Sequence, residues 1–216
     1  MENDFINIRG ELMGLPASSH LASKGSRAEF QKHFDAVPQH IKDELENGRV
    51  RLADHVIYSI KPITSKTVKL FETQDSKATG LRNISNAKLE KNQSLLVSGI
   101  YLMAGVATPA GTAGPTPEEV MAIDFLPVNR DPKLAALVNG EFNLKANKVQ
   151  LVPDTPIRLF AANQGGLQPE GYYKLHNPRL IQDDVPIEAT VELGTMLGIP
   201  DHAYLFIGLH GTITTA

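Results

Sequence analysis

Val185-Pro186-Ile187-Glu188-Ala189-Thr190-Val191-Glu192-Leu193 is the stretch that decides the fold class. Val185, Ile187, Ala189, Val191 and Leu193 are apolar, and Glu188, Thr190 and Glu192 fall between them. Successive side chains of a strand point to opposite faces, so this pattern describes a strand with one dry face and one wet face. Parallel sheets are covered on both faces and read as unbroken apolar runs, so the alternation favours antiparallel packing.

Working outward, the last segment repeats the rhythm: Leu205, Ile207, Leu209 and Ile213 alternate with Tyr204, Phe206, His210 and Thr212. Strands are expected over 49–62, 66–73, 93–106, 141–151, 155–161, 171–176, 184–193 and 203–214. The most apolar run, Leu95 to Val106, is shorter than the ~20 residues that a membrane-crossing helix needs. Two helical insertions interrupt the strands. Thr116-Pro117-Glu118-Glu119 combines a capping hydroxyl, a proline in the first turn and two acids at the positive end of the helix dipole. Asp131-Pro132 repeats the signal, and Asn139-Gly140 stops the turn that follows. Even spacing, polar turns and no internal repeat predict an all-β fold: a single eight-stranded antiparallel jelly roll, built as a two-sheet sandwich with short helical insertions.

Residues 1–48 read differently. Residues 1–25 have no steady period and are expected to form an arm that orders only against a partner. Ser26-Arg27-Ala28-Glu29 has the S-x-x-E form of a capping box. Phe30, Phe34 and Val37 follow at helical spacing, Pro38 breaks the helix, and Ile41 and Leu45 begin a second turn that ends at Asn47-Gly48. The expected organisation is a helical N-terminal arm, 1–48, and a β body, 49–216. The stripe Phe30, Phe34, Val37 and Ile41 has two readings, packing on its own domain or gripping a neighbouring subunit; on the second, these four residues are the assembly contacts. The start, Met1 to Ile6, has neither the charge nor the apolar core of a signal peptide.

Composition bounds the function. Lys+Arg total 21 against Asp+Glu 24, a formal net charge of −3, which supplies no broad positive field for phosphate. Direct nucleic-acid binding is therefore not expected. The absence of cysteine excludes disulfides, thiolate nucleophiles and Cys-ligated metal. The seven histidines include no His-x-His or His-x-x-x-His pair, so no metal site is expected; a cupin-type enzyme would need folding to gather His55, His176 and His210. Asp183, Asp184, Glu188 and Glu192 carry oxygen ligands suited to calcium but equally fit a hydrated face. A lectin-like reading would use Tyr172 and Tyr173, with Asp183 and Asp184, although the chain has no Trp. The glycine-rich run Gly105 to Pro115 lacks the Gly-Lys-Ser/Thr ending of a phosphate loop, and no Gly-x-Ser-x-Gly elbow occurs. No catalytic residue and no cofactor is expected. Asn83-Ile84-Ser85 and Asn92-Gln93-Ser94 match the glycosylation triplet without a secretion signal to support it.

Three passages together carry a resemblance: Leu81-Arg82-Asn83-Ile84-Ser85-Asn86-Ala87-Lys88-Leu89 running into Gln93 to Ile100; Leu137 to Lys145; and Asn177-Pro178-Arg179-Leu180-Ile181 leading into the Val185 strand. Their layout, over about residues 65–216, resembles the jelly-roll major capsid proteins of tailless icosahedral bacteriophages of the membrane-containing type. The resemblance implies a structural virion protein that self-assembles into homo-oligomeric capsomers, meets other virion proteins or an internal lipid layer, and is found in the virion after assembly in the host cytoplasm. Many members of that lineage carry two jelly rolls per chain. This sequence supplies one, which opens six-fold or dimer-built capsomers beside the trimeric arrangement.

Overall fold

The computed structural model describes residues 26–112, 114–161 and 169–215, without the side chains of residues 26–28. The arm expected over 1–25 and the capping hydroxyl of Ser26 lie outside the described residues. The chain is an all-β sandwich of two antiparallel sheets with a few short helices. Its strands are β1 (Arg51–Pro62), β2 (Thr67–Lys69), β3 (Leu95–Val106), β4 (Leu126–Pro127), β5 (Glu141–Ala146), β6 (Val149–Pro156), β7 (Tyr172–Ile181), β8 (Ile187–Glu192) and β9 (Ala203–Thr215). The first sheet runs β1-β9-β3, with β7 and β4 both lying on the far side of β3; the second runs β2-β8-β5-β6.

The facing surfaces bury one continuous core. Leu95, Val97, Ile100 and Leu102 of β3 and Leu205, Ile207 and Leu209 of β9 meet Phe142 and Leu144 of β5 and Ile187, Ala189 and Val191 of β8. The strand that decided the fold class behaves as read: Glu188 and Glu192 are exposed on the outer face of the second sheet, and their apolar neighbours are buried. Like charges directly opposed weaken a sheet, and Glu192 does stand opposite Glu141 of β5; Lys145 opposite Glu188 is the complementary pair.

The first sheet has β3 and β9 covered on both faces. Its outer face is covered near Arg51 and Leu95 by the helical segment α1 (Ser26–Lys32), a 3-10 turn (Phe34–Ala36) and α2 (Gln39–Glu46). Phe30, Val37, Ile41, Leu45 and Val50 form a second apolar cluster with Leu96, bordered by Leu52 and Leu180. Further along, Phe206 stacks on Tyr58 at 5.9 Å and meets Phe125 of the 107–128 connection, also at 5.9 Å. Close approach of a neighbouring strand or of the covering connection fixes some glycines. A Cβ on Gly211 would sit 1.8 Å from the Leu96 carbonyl oxygen, and one on Gly105 2.3 Å from Ile123.

Helix signals held where capping chemistry was complete. In α3 (Pro117–Met121), Thr116 Oγ1 accepts from the Glu119 N–H at 3.3 Å, and the Glu119 carboxylate accepts from the N–H groups of Thr116 at 2.8 Å and Ala110 at 2.7 Å. These donors hold that carboxyl below its usual range, the Thr116 N–H first. Gly48, with φ +68°, follows the end of α2 as expected. Pro132–Asn139 is a 3-10 helix, started by Asp131 accepting from the Lys133 N–H at 2.9 Å.

Several strand boundaries differ from the expectation. The strand expected over 141–151 is two, folded back at Asn147 and Lys148, whose φ values of +49° and +64° make a tight hairpin without the usual glycine. Residues 155–161 are the end of β6 and a 3-10 helix, Ile157–Ala161, in which Ile157 and Phe160 point inward three residues apart. β7 extends five residues past the expected stop at 176, to Ile181, because the irregularity opposite Ser98 takes up Asn177-Pro178 without ending the strand.

Candidate functional site

The four residues expected to make assembly contacts are not free to do so together. Phe30, Val37 and Ile41 are 1%, 3% and 0% exposed beneath their own chain's first sheet. Phe34 is half-buried at the border of that cluster, with the Lys42 ammonium 5.4 Å from its ring centre. Polar ties reinforce the seat: His40 Nε2 lies 2.9 Å from Asp183 Oδ2, and Gln182 Nε2 donates to the Ala36 carbonyl at 3.4 Å. The helical segment from Phe30 onward is therefore packed on its own domain, the first of the two readings of the stripe, and it belongs with the β body and not with an arm that ends at 48. The amphipathic stripe found the surface nearest to it in its own chain.

The histidines of the cupin reading are kept apart. His55 pairs with Gly211 and His210 with Val56 across β1 and β9, so the two imidazoles emerge on opposite faces of the sheet. His176 is exposed on β7. Among the described residues no group of three or more His, Cys, Asp or Glu is placed to hold a metal ion. The acids of the calcium reading separate too. Asp183 is occupied by His40 and by the Asn92 N–H at 2.9 Å, while Glu188 and Glu192 stand on the outer face of the second sheet.

Tyr172 and Tyr173 do not form one platform, because neighbours in a strand face opposite ways. Tyr173 turns inward, 5.3 Å from Phe160. Tyr172 turns outward over Gly99, with its ring 4.7 Å from Tyr101 and its hydroxyl 3.1 Å from His210 Nδ1. Burial, with a smaller contribution from Tyr101, pushes the Tyr172 phenol up to about 12. It stays protonated at neutral pH, and its hydroxyl and His210 Nδ1 share one hydrogen bond.

The residues with the richest polar geometry were missed by sequence reasoning. They lie in the long β2–β3 connection, residues 70–94. Inward-facing Lys61 of β1 pairs with Glu72 and with Asp75, the latter at 2.8 Å, and Asp75 also holds Arg82 at 3.1 Å. Asn83, read only as a glycosylation triplet, is an edge clamp. Its amide donates to the Val56 carbonyl at 2.7 Å, its side-chain oxygen accepts from the Tyr58 N–H at 2.8 Å, and its own N–H reaches the Tyr58 carbonyl at 3.3 Å. With the Ile60 N–H donating to Leu81 at 2.9 Å, the outer edge of β1 is closed. Asn83→Ala removes two side-chain bonds to strand backbone and is expected to cost about 1–3 kcal/mol in urea unfolding. A loss below a few tenths would show that the clamp is idle.

The same connection frames a cavity of about 410 Å³ beside the start of β1. Ile57, Ile84 and Ile213 form its floor, and His55 stands at its mouth. Partial burial pushes the His55 imidazole down, and the positive charge of Lys77 adds to the effect. No family model, curated protein or solved structure matches the chain.

Proposed function

We propose that this chain is a structural shell subunit: a single jelly roll that self-assembles through its edges and loops into the capsid of a tailless, membrane-containing type of icosahedral phage, with no enzymatic role. The observation that carries the reading is the strand order. β1-β9-β3-β7 facing β2-β8-β5-β6 is the order produced when one long antiparallel ribbon is rolled up: the chain crosses from sheet to sheet at every step except the β5–β6 hairpin, which is the ribbon's closed end. The two-residue β4 belongs to the insertion between β3 and β5 and stands outside that ribbon.

The edges support the same reading. A sheet edge is a template for another chain. One edge of the first sheet, β1, is closed by residues 81–83. At the other, β7 pairs on one side only among the described residues, and Lys174 and His176 are exposed there. An edge closed on one side and open on the other favours directional contacts between copies, the kind that close into rings. The partners are then other copies of this chain, with other virion proteins or a lipid layer beneath, and the location is the virion.

Electron microscopy and light scattering of the purified full chain test this. Regular capsomers or closed shells are expected. A monomer at every concentration overturns the reading.

A further inference from the structure

Charged groups of both signs line the cavity beside β1: Lys77, Lys88, Glu90 and Asp184. The Lys77 N–H donates to Ser85 Oγ at 3.0 Å and the Lys88 N–H to the Ser85 carbonyl at 3.1 Å. The Asp184 N–H meets the carbonyl of Leu89, the residue between Lys88 and Glu90, at 3.5 Å. None of these four groups makes an ion pair within 4.0 Å among the described residues.

That backbone is unusual. Asn86, Ala87, Asn92 and Asp184 have φ values of +54°, +52°, +66° and +55°, a region that residues other than glycine enter at a cost. Ala87 has no polar side chain to favour the conformation and is 2% exposed. It is held because its carbonyl accepts the Ile187 N–H at 2.8 Å, and the Asn86 N–H donates to the Asp75 carbonyl at 2.7 Å. The backbone next to Lys88 and Glu90 is thus tied to β8 and to the ion-paired Asp75.

We propose that this cavity binds a small zwitterion of amino-acid or dipeptide size, its carboxylate on Lys77 and Lys88 and its ammonium group on Glu90 and Asp184. At about 410 Å³ the space lies in the range of small-molecule sites, about 300–1,000 Å³. The apolar floor of Ile57 and Ile213 takes the ligand's carbon skeleton, and His55 offers a neutral hydrogen-bonding ring at the mouth. The site is independent of the shell reading, since it needs one copy of the chain.

Isothermal titration calorimetry of the full chain with glycine, glycylglycine, N-acetylglycine and glycine methyl ester separates the charges. Glycine or glycylglycine is expected to bind saturably, with the anion-only and cation-only analogues at least about tenfold weaker. Asp184→Asn, which keeps a residue tolerant of positive φ, and the double substitution Lys77→Gln with Lys88→Gln should each weaken binding by a similar factor. No saturable heat from either zwitterion, equal binding of either analogue, or unchanged binding in both variants overturns the proposal.

Discussion

Asp75→Ala will lower the unfolding free energy by about 3 kcal/mol or more, the largest loss expected from a single polar substitution in this chain. Lys61 follows Ile57 and Ser59 along the inward side of β1, so its ammonium enters the sandwich rim with a side chain only 11% exposed. Such a charge is tolerated only when it is paired and hydrogen-bonded. Asp75, itself 12% exposed, accepts from Lys61 and Arg82 together, and the Nε of Arg82 already has no partner. Removing the carboxylate leaves one cation to Glu72 and strands the other. Lys61→Met combined with Asp75→Ala should cost less than the sum of the two single changes, because the methionine removes the charge that the aspartate neutralises. Urea unfolding measures all three variants. A loss below 1 kcal/mol for Asp75→Ala, or strict additivity, would show that water already screens the network. Cleavage within residues 70–94 under limited proteolysis should rise in parallel, since the Lys61–Asp75 bond ties that connection to β1 and the Arg82–Asp75 bond braces it internally.

The second sheet was easier to read than the first. β8 has water on one side, so Glu188, Thr190 and Glu192 announce their face. β3 is covered on both sides, by the second sheet and by Leu45, Phe30 and their neighbours, and its apolar run carries no face signal. Turns were legible where the chemistry was conventional, as at Thr116 and Asn47-Gly48. Asn147-Lys148 was not, because a lysine with φ +64° is held there by the pairing of β5 with β6 and not by its own preference. The charged lining of the cavity comes from two connections distant in sequence, Lys77, Lys88 and Glu90 on one and Asp184 on the other. No local spacing could have joined them. Asn83 is silent in the sequence for another reason: its role lies in two bonds to the backbone of β1, 25 and more residues away, which the triplet around it does not announce.

Removing residues 1–48 is expected to abolish folding of the remaining β body or leave it aggregated, the reverse of what an independent arm would do. The helical segment buries Phe30, Val37, Ile41 and Leu45, and the surface it would leave behind includes Leu96, 0% exposed, with Leu52 and Leu180 at its border and Thr212 and Thr214 buried nearby. Exposing such a patch on a sheet face invites association. The point substitution Ile41→Ala keeps the segment in place and isolates the packing: Ile41 is fully buried, and the change should cost about 2–5 kcal/mol. That is a large part of the roughly 5–15 kcal/mol that holds a domain together. Phe34→Ala, at the half-exposed border, should cost much less in urea unfolding, and this contrast is the decisive readout. If Ile41→Ala were as mild as Phe34→Ala and the truncated chain stayed folded and monomeric, the seat on the first sheet would be an accessory contact. If Phe34→Ala leaves stability intact yet removes regular assemblies from electron micrographs, the stripe divides its labour: three residues hold the body together, and the fourth meets the next copy.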